Sequence, residues 1–116
     1  MTVRRMKTYT GGQGYVYQYY FVGKRPARGL AATEYIFDVT SDRKTMFAVS
    51  VLLPDEALKE WTAAHGRALT EAEQYGAVKI RLFQAFDAIE NMMAEGRHLN
   101  IDPAALEQLL ETLGVA

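Results

Sequence analysis

Residues 70–96 read TEAEQYGAVKIRLFQAFDAIENMMAEG, and this stretch decides how the rest of the chain can fold. At about 100° per residue, its large apolar side chains fall on one side of a helix. These side chains are Tyr75, Val78, Leu82, Phe86, Ile89 and Met93. Thr70 and Glu73 have the spacing of a capping box, and Gly96 suits the position just after a helix. The stretch therefore predicts one long helix over about residues 70–95 that carries most of the core.

The first half of the chain predicts β-strands, because it is rich in aromatic and β-branched residues. Three such runs are expected to be strands, at about residues 15–23, 33–40 and 45–53. The polar residues 41–44 between the last two runs favour a hairpin. We therefore expect a three-stranded antiparallel sheet with one face packed on the long helix.

Two shorter helices are predicted from their end signals. Pro54 suits a helix start and Asp55 suits the first turn, so a helix is expected near residues 55–65. Asp102 as N-cap, Pro103 as first residue and Gly114 as stop predict another near residues 103–113. The predicted fold class is α+β, with the sheet packed on the long helix and these two short helices beside it.

Length and composition favour one domain. The chain has 116 residues, of which 49% are hydrophobic, so it can bury a core of its own. Residues 1–14 are polar and glycine-rich and are expected to be a flexible basic arm, with residues 15–116 as the single domain. The sequence contains no run of about 18 apolar residues that would predict a membrane span, and no apolar leader is visible. We therefore expect a cytoplasmic protein. The absence of cysteine excludes disulfides and thiolate catalysis.

The net charge of −1 hides an uneven distribution. Six of the thirteen basic residues precede Glu34, and all fourteen acidic residues lie from Glu34 onward. Such asymmetry can indicate an anionic partner. It can equally mean that the basic segment lies on the protein's own acidic surface, and the sequence favours neither interpretation.

The basic segment also carries aromatic residues at strand spacing. Aromatic rings on a strand can stack on unpaired bases while Lys and Arg neutralise phosphates. This predicts a candidate site for single-stranded nucleic acid or another anionic polymer. Its residues are Arg4, Arg5, Lys7, Tyr15, Tyr17, Tyr19, Lys24, Arg25 and Arg28. The competing interpretation is that the tyrosine face is core, since aromatic side chains dominate cores as well as interfaces.

Ile80 points away from the apolar side of the long helix, close to Gly76 and Phe83. Another helix of the same chain can cover this group, or a second copy of the protein can. A small sheet covered on one side also leaves apolar surface for a partner. The leading functional prediction is therefore a non-enzymatic interaction protein that forms a homodimer, with Gly76, Ile80 and Phe83 as candidate self-association residues.

Catalysis is the least favoured function. His65 and His98 lie in predicted connections, and neither has a second ligand at metal-binding spacing. Glu34 and Asp38 share a strand face, but four strand residues separate them by about 13 Å, more than a glycosidase pair allows. We predict no catalytic residue, metal ligand or cofactor. A pocket that joined a histidine to a carboxylate would favour an enzyme instead.

Overall fold

The computed structural model describes residues 6–115 and has an α+β fold. Its strands are β1 (Lys7–Thr10), β2 (Val16–Pro26), β3 (Ala32–Thr40), β4 (Phe47–Pro54) and β5 (His98–Asn100). Its helices are α1 (Asp55–His65), α2 (Glu71–Ala88), α3 (Met92–Glu95) and α4 (Pro103–Leu113). The strands form one sheet in the order β1-β2-β3-β4-β5. The first four strands are an antiparallel meander, and β5 runs parallel to β4.

The three predicted strands are present as β2, β3 and β4, but the sheet has five strands and the prediction of three was wrong. The added strands are the two edges. β1 lies within the segment expected to be a flexible arm, yet Lys7 to Thr10 pair along β2 from Tyr19 to Val16. Both edge strands are short and mostly polar, so neither shows the alternation that marks a strand in sequence. Each edge strand pairs with a longer neighbouring strand, and this pairing, which its own sequence does not indicate, holds it in the sheet.

The predicted long helix is interrupted. α2 ends at Ala88, and Ile89 is extended, with φ −99° and ψ 117°. The short helix α3 then begins after Asn91, whose side chain caps it by accepting from the N–H of Ala94 at 3.2 Å. The predicted capping box at the start of α2 is confirmed, with Thr70 and Glu73 bonded to each other's backbone N–H groups.

The turn between β1 and β2 explains why α2 stops where it does. The Gln13 amide donates to the carbonyls of Asp87 and Ala88, at 3.4 and 3.1 Å. The Asp87 carboxylate in turn accepts from the Tyr9 hydroxyl and from the N–H of Gly12. A helix leaves its last carbonyls without internal partners. Here the turn supplies a partner for two of these carbonyls, those of Asp87 and Ala88, and the helix ends at Ala88.

The core lies between the helices and one face of the sheet. Phe37, Val49, Leu82 and Phe86, which the sequence predicted to be core, are fully buried. The two short helices have their predicted bounds, and Trp61 of α1 and the leucine stripe of α4 belong to the same core cluster. α4 packs against α1 and α2. Asp102 caps α4 by accepting from the N–H of Ala105 at 2.7 Å.

Candidate functional site

The sheet face opposite the helices is the largest candidate surface, and we call it the open face. Burial alternates along β3 and β4, with the fully buried side chains toward the helices. The strand registers place the other set of side chains together on the open face. Its central members are Val16, Gln18, Tyr20, Val22, Arg25, Glu34, Ile36, Asp38, Ala48, Ser50, Leu52 and His98.

Apolar side chains run across the open face. Val16 and Val22 of β2 are 44% and 37% exposed, which is high for valine. Ile36 of β3 and Leu52 of β4 are partly exposed near Val22. The β2–β3 register shifts between Phe21 and Gly23, a bulge that gives Val22 no partner in β3. Val22, Ile36 and Leu52 therefore form a short apolar strip on the open face, and Val16 lies six residues, or about 20 Å, from Val22 along β2.

The charged groups of the open face are hydrogen-bonded within the chain. Glu34 accepts from the Ser50 hydroxyl at 2.7 Å and from the Arg25 guanidinium at 2.8 Å. These two hydrogen bonds lower the pKa of the Glu34 carboxyl below its usual value. Asp38 accepts from the Tyr20 hydroxyl at 2.7 Å. The face is therefore polar at the positions around its apolar strip without presenting a strong net charge.

Ser50, His98 and Glu34 lie near one another, which raises the question of nucleophilic catalysis. Ser50 and His98 are register partners across β4 and β5. A serine nucleophile needs its hydroxyl bonded to a histidine base that is itself oriented by a carboxylate. Here the Ser50 hydroxyl donates to the carboxylate of Glu34 instead. The Ser50–Glu34 contact is therefore a structural hydrogen bond between two neighbouring strands.

The aromatic rings of the predicted nucleic-acid site are in the core. Tyr17 and Tyr19 are only 1% and 4% exposed, and Tyr17 stacks on Phe86 of α2 with ring centroids 4.2 Å apart. Bases cannot stack on these rings while the core is closed. The tyrosine face of β2 faces the helices, where Phe86 of α2 offers Tyr17 an aromatic partner. Tyr15, just before β2, is exposed.

The basic residues of that predicted site do not form one cluster. Lys24 pairs with Glu71 at 3.5 Å and Arg25 with Glu34 at 2.8 Å, so these two lie on the protein's own acidic groups. Arg28 lies in the β2–β3 connection, where it lines a cavity of about 360 Å³ with Arg25, Pro26 and Glu34. Lys7 lies in β1 at the opposite end of β2. Arg4 and Arg5 fall outside the described residues.

The predicted self-association residues of α2 are partly covered by the chain itself. A Cβ at Gly76 would come within 2.7 Å of the Leu113 side chain of α4, so the helices meet closely there. Phe83 stacks on Tyr9 of β1, with ring centroids 4.4 Å apart. Ile80 is partly buried against the core. These three residues therefore keep only part of their surface for a second copy.

Lys7 and Lys79 lie at the seam between β1 and α2. The sequence does not predict this pair. The Lys79 ammonium is 5.6 Å from the ring centroid of Tyr75 and 6.0 Å from that of Phe83. Burial, and then the neighbouring charge of Lys7, lower the pKa of Lys79 below that of an ordinary lysine. Sequence spacing could place Lys79 on α2, but the contact with Lys7 depends on the unpredicted strand β1.

His65 has a carboxylate partner, which the sequence could not show. Its Nε2 lies 2.7 Å from Glu107 of α4, and its ring stacks on Trp61 at 4.2 Å. A cavity of about 520 Å³ lies beside this pair, lined by Glu60, Trp61, Ala64, Asp102, Pro103, Ala104 and Glu107. His65 is not among the lining residues, and the ionisable groups that line the cavity are acids. The pair joins α1 to α4.

A cavity of about 550 Å³ lies beside α3, where Glu90 and Glu95 are among its lining residues. Within residues 6–115, no three His, Asp or Glu side chains are grouped so that they could hold a metal ion. In the same part of the chain, no helix has the length and apolar character needed to cross a membrane.

Comparison with known proteins gave no relative: no protein-family model, no curated protein and no solved structure matches the chain. The guide to its function is therefore the chemistry of its own surfaces.

Proposed function

We propose that this protein is a non-enzymatic interaction protein that forms a homodimer, and that two copies meet through their open faces. The observation that carries the proposal is the sheet itself, whose one side packs on the helices while the other has an exposed apolar strip. Exposed apolar groups that are clustered and surrounded by polar side chains are typical of interfaces. Val16 and Val22 are the most exposed of these groups.

The charges of the open face are compatible with a second copy. A two-fold interface brings the same surface of each copy together, so an unpaired charge near its centre would meet its own kind. Arg25 is already paired with Glu34, and Asp38 accepts from Tyr20. Docking therefore places no strongly charged patch against itself.

The size of the open face sets the expected affinity. With strands about 4.8 Å apart and about 3.3 Å per residue, five strands of about seven residues cover on the order of 500 Å². Two such faces would bury about 1,000 Å², at the low end for specific protein–protein interfaces. We therefore expect a weak dimer that forms at micromolar concentration and dissociates on dilution.

The nucleic-acid alternative has less support from the contacts of the chain. It needs Tyr17 and Tyr19 as exposed rings, and both are buried. It also needs Lys24 and Arg25 free for phosphates, and each has an acidic partner. The self-association proposal needs no side chain to leave its place.

The substitution Val22→Lys tests the homodimer. Lysine at this exposed position costs the monomer little, but in the dimer it would place an ammonium group within the apolar strip. We expect the dissociation constant to rise at least about tenfold, equivalent to about 1.4 kcal/mol. Analytical ultracentrifugation over a range from micromolar to millimolar protein measures it.

Met93→Lys is the matched control, because Met93 on α3 is 42% exposed and lies away from the open face. This variant should dimerise as the wild type does. A wild-type protein that stays monomeric up to millimolar concentration contradicts the proposal. So does a dimer that Val22→Lys leaves intact.

A further inference from the structure

We propose that Lys7 and Lys79 form a binding site for a phosphate-bearing small molecule at the seam between β1 and α2. This site lies on the helix side of the sheet, so it is separate from the open face and does not depend on the homodimer.

Strand register brings Lys7 to α2. Lys7 and Tyr9 are two residues apart in β1, so their side chains leave the strand on the same side. Tyr9 stacks on Phe83 of α2 at 4.4 Å, which fixes that side as the one that faces the helix. Lys79 lies one helical turn before Phe83, and its ammonium is 6.0 Å from the Phe83 ring centroid. The two lysines therefore occupy neighbouring positions along one seam.

Aromatic rings form the floor beneath the lysines. Tyr75 lies 5.6 Å from the Lys79 ammonium and packs on Phe21 of β2 at 4.9 Å. Ring faces attract a cation, but they do not carry a full negative charge. The partial burial of Lys79 on this floor withdraws some of its hydration, which increases the benefit of a real counter-charge.

The acidic residues of α2 already have other partners. Glu71 pairs with Lys24 at 3.5 Å, and Asp87 accepts from Tyr9 and from Gly12. Both are eight residues from Lys79, or about 12 Å along the helix axis. Glu73, six residues or about 9 Å from Lys79, pairs with Arg67 at 2.9 Å. Among the ion pairs of residues 6–115, none includes Lys7 or Lys79. Within residues 6–115, the two lysines are therefore neighbours along the seam, and neither has an ion-pair partner.

A phosphate group matches this arrangement better than a carboxylate. A phosphomonoester has a charge of about −1.5 to −2 at pH 7 and three acceptor oxygens, so one group can neutralise both ammonium ions. Lysine binds phosphate as a point charge and does not require the planar geometry of a guanidinium. A carboxylate has one negative charge, so it would neutralise one lysine and leave the other without a counter-charge.

Chemical labelling of lysines on the full chain tests the site. The probes are inorganic phosphate and phenyl phosphate, each compared with sodium chloride at equal ionic strength. An amine-acylating reagent is added, and its rate at each lysine is read by peptide mass spectrometry. At about ten times the dissociation constant, phosphate should slow labelling of Lys7 and Lys79 about tenfold by mass action. Labelling of Lys44 and Lys59 should not change.

Lys79→Met is the informative variant, because methionine keeps an unbranched side chain on the aromatic floor and removes the charge. In this variant phosphate should no longer protect Lys7. Lys59→Met on α1 removes one charge elsewhere and should leave the protection intact, as should the dimer variant Val22→Lys. The site is disproved if phosphate protects no lysine, if it protects all lysines equally, or if Lys79→Met retains protection at Lys7.

Discussion

At the scale of single residues, Leu82 is the strongest test of how the core is arranged. It is fully buried on the side of α2 that faces the sheet. Leu82→Ala removes buried methyl groups and leaves a cavity, so the free energy of unfolding should fall by about 2 to 5 kcal/mol. Gln84→Ala, on the exposed side of the same helix, should change it by less than about 0.5 kcal/mol. Urea melts measure both, and a loss below about 1 kcal/mol for Leu82→Ala would show that the core is differently packed.

The residues of β2 show where sequence reasoning at this scale stops. Alternation places Tyr17 and Tyr19 on one side of the strand and Val16 and Val22 on the other, but both sets are suitable for a core. The choice depends on what α2 presents to the strand. Phe86 stacks on Tyr17, so aromatic packing between the two elements decides the buried side. No property of β2 alone contains that information.

At the scale of elements, the starts of the helices were predicted well and the end of α2 was not. Thr70 and Asp102 cap their helices through local contacts, which a sequence pattern records directly. At the end of α2, the Ala88 carbonyl accepts from Gln13, 75 positions away in sequence. Gly11 also approaches the Phe86 carbonyl so closely that a Cβ would lie 2.7 Å from its oxygen. Contacts between residues this distant in sequence cannot be read from periodicity.

The start of α2 gives an acid-dependent prediction. Hydrogen bonds from the Arg67 guanidinium and from the Thr70 N–H lower the pKa of Glu73 from 4.5 to about 2. Because the folded pKa is lower than the unfolded one, this stabilisation is complete above the unfolded value of 4.5 and is lost as the pH falls toward about 2. Glu73→Gln should therefore be less stable than the wild type at pH 7, and the difference should shrink between about pH 5 and pH 2.

Urea melts across this pH range measure the difference, and Arg67→Gln serves as its partner in a double-mutant cycle. If Arg67 is the main cause of the lowered pKa, Glu73→Gln should have a much smaller effect in the Arg67→Gln background. A difference between Glu73→Gln and the wild type that is independent of pH would show that the ion pair does not stabilise the fold.

At the scale of the whole molecule, the α+β class and the central antiparallel strands followed from the sequence, and the full width of the sheet did not. The parallel strand β5 pairs with β4, although α1, α2 and α3 separate the two strands in sequence. Its three residues contribute one buried side chain, Leu99. The candidate surfaces depend on these edges: β1 supplies Lys7 to the lysine seam, and β5 extends the open face. Function at this scale is therefore less predictable than fold.

Dimerisation through the open face also predicts that thermal stability depends on protein concentration. A protein that associates only when folded is stabilised by mass action. Above the dissociation constant, a tenfold increase in concentration should stabilise each chain by about 0.7 kcal/mol and raise the melting temperature by roughly 3 °C. Met93→Lys should show the same rise, while Val22→Lys should show it only at concentrations at least about tenfold higher. Scanning calorimetry at several concentrations measures this, and a wild-type melting temperature that does not change with concentration would contradict an association coupled to the folded state.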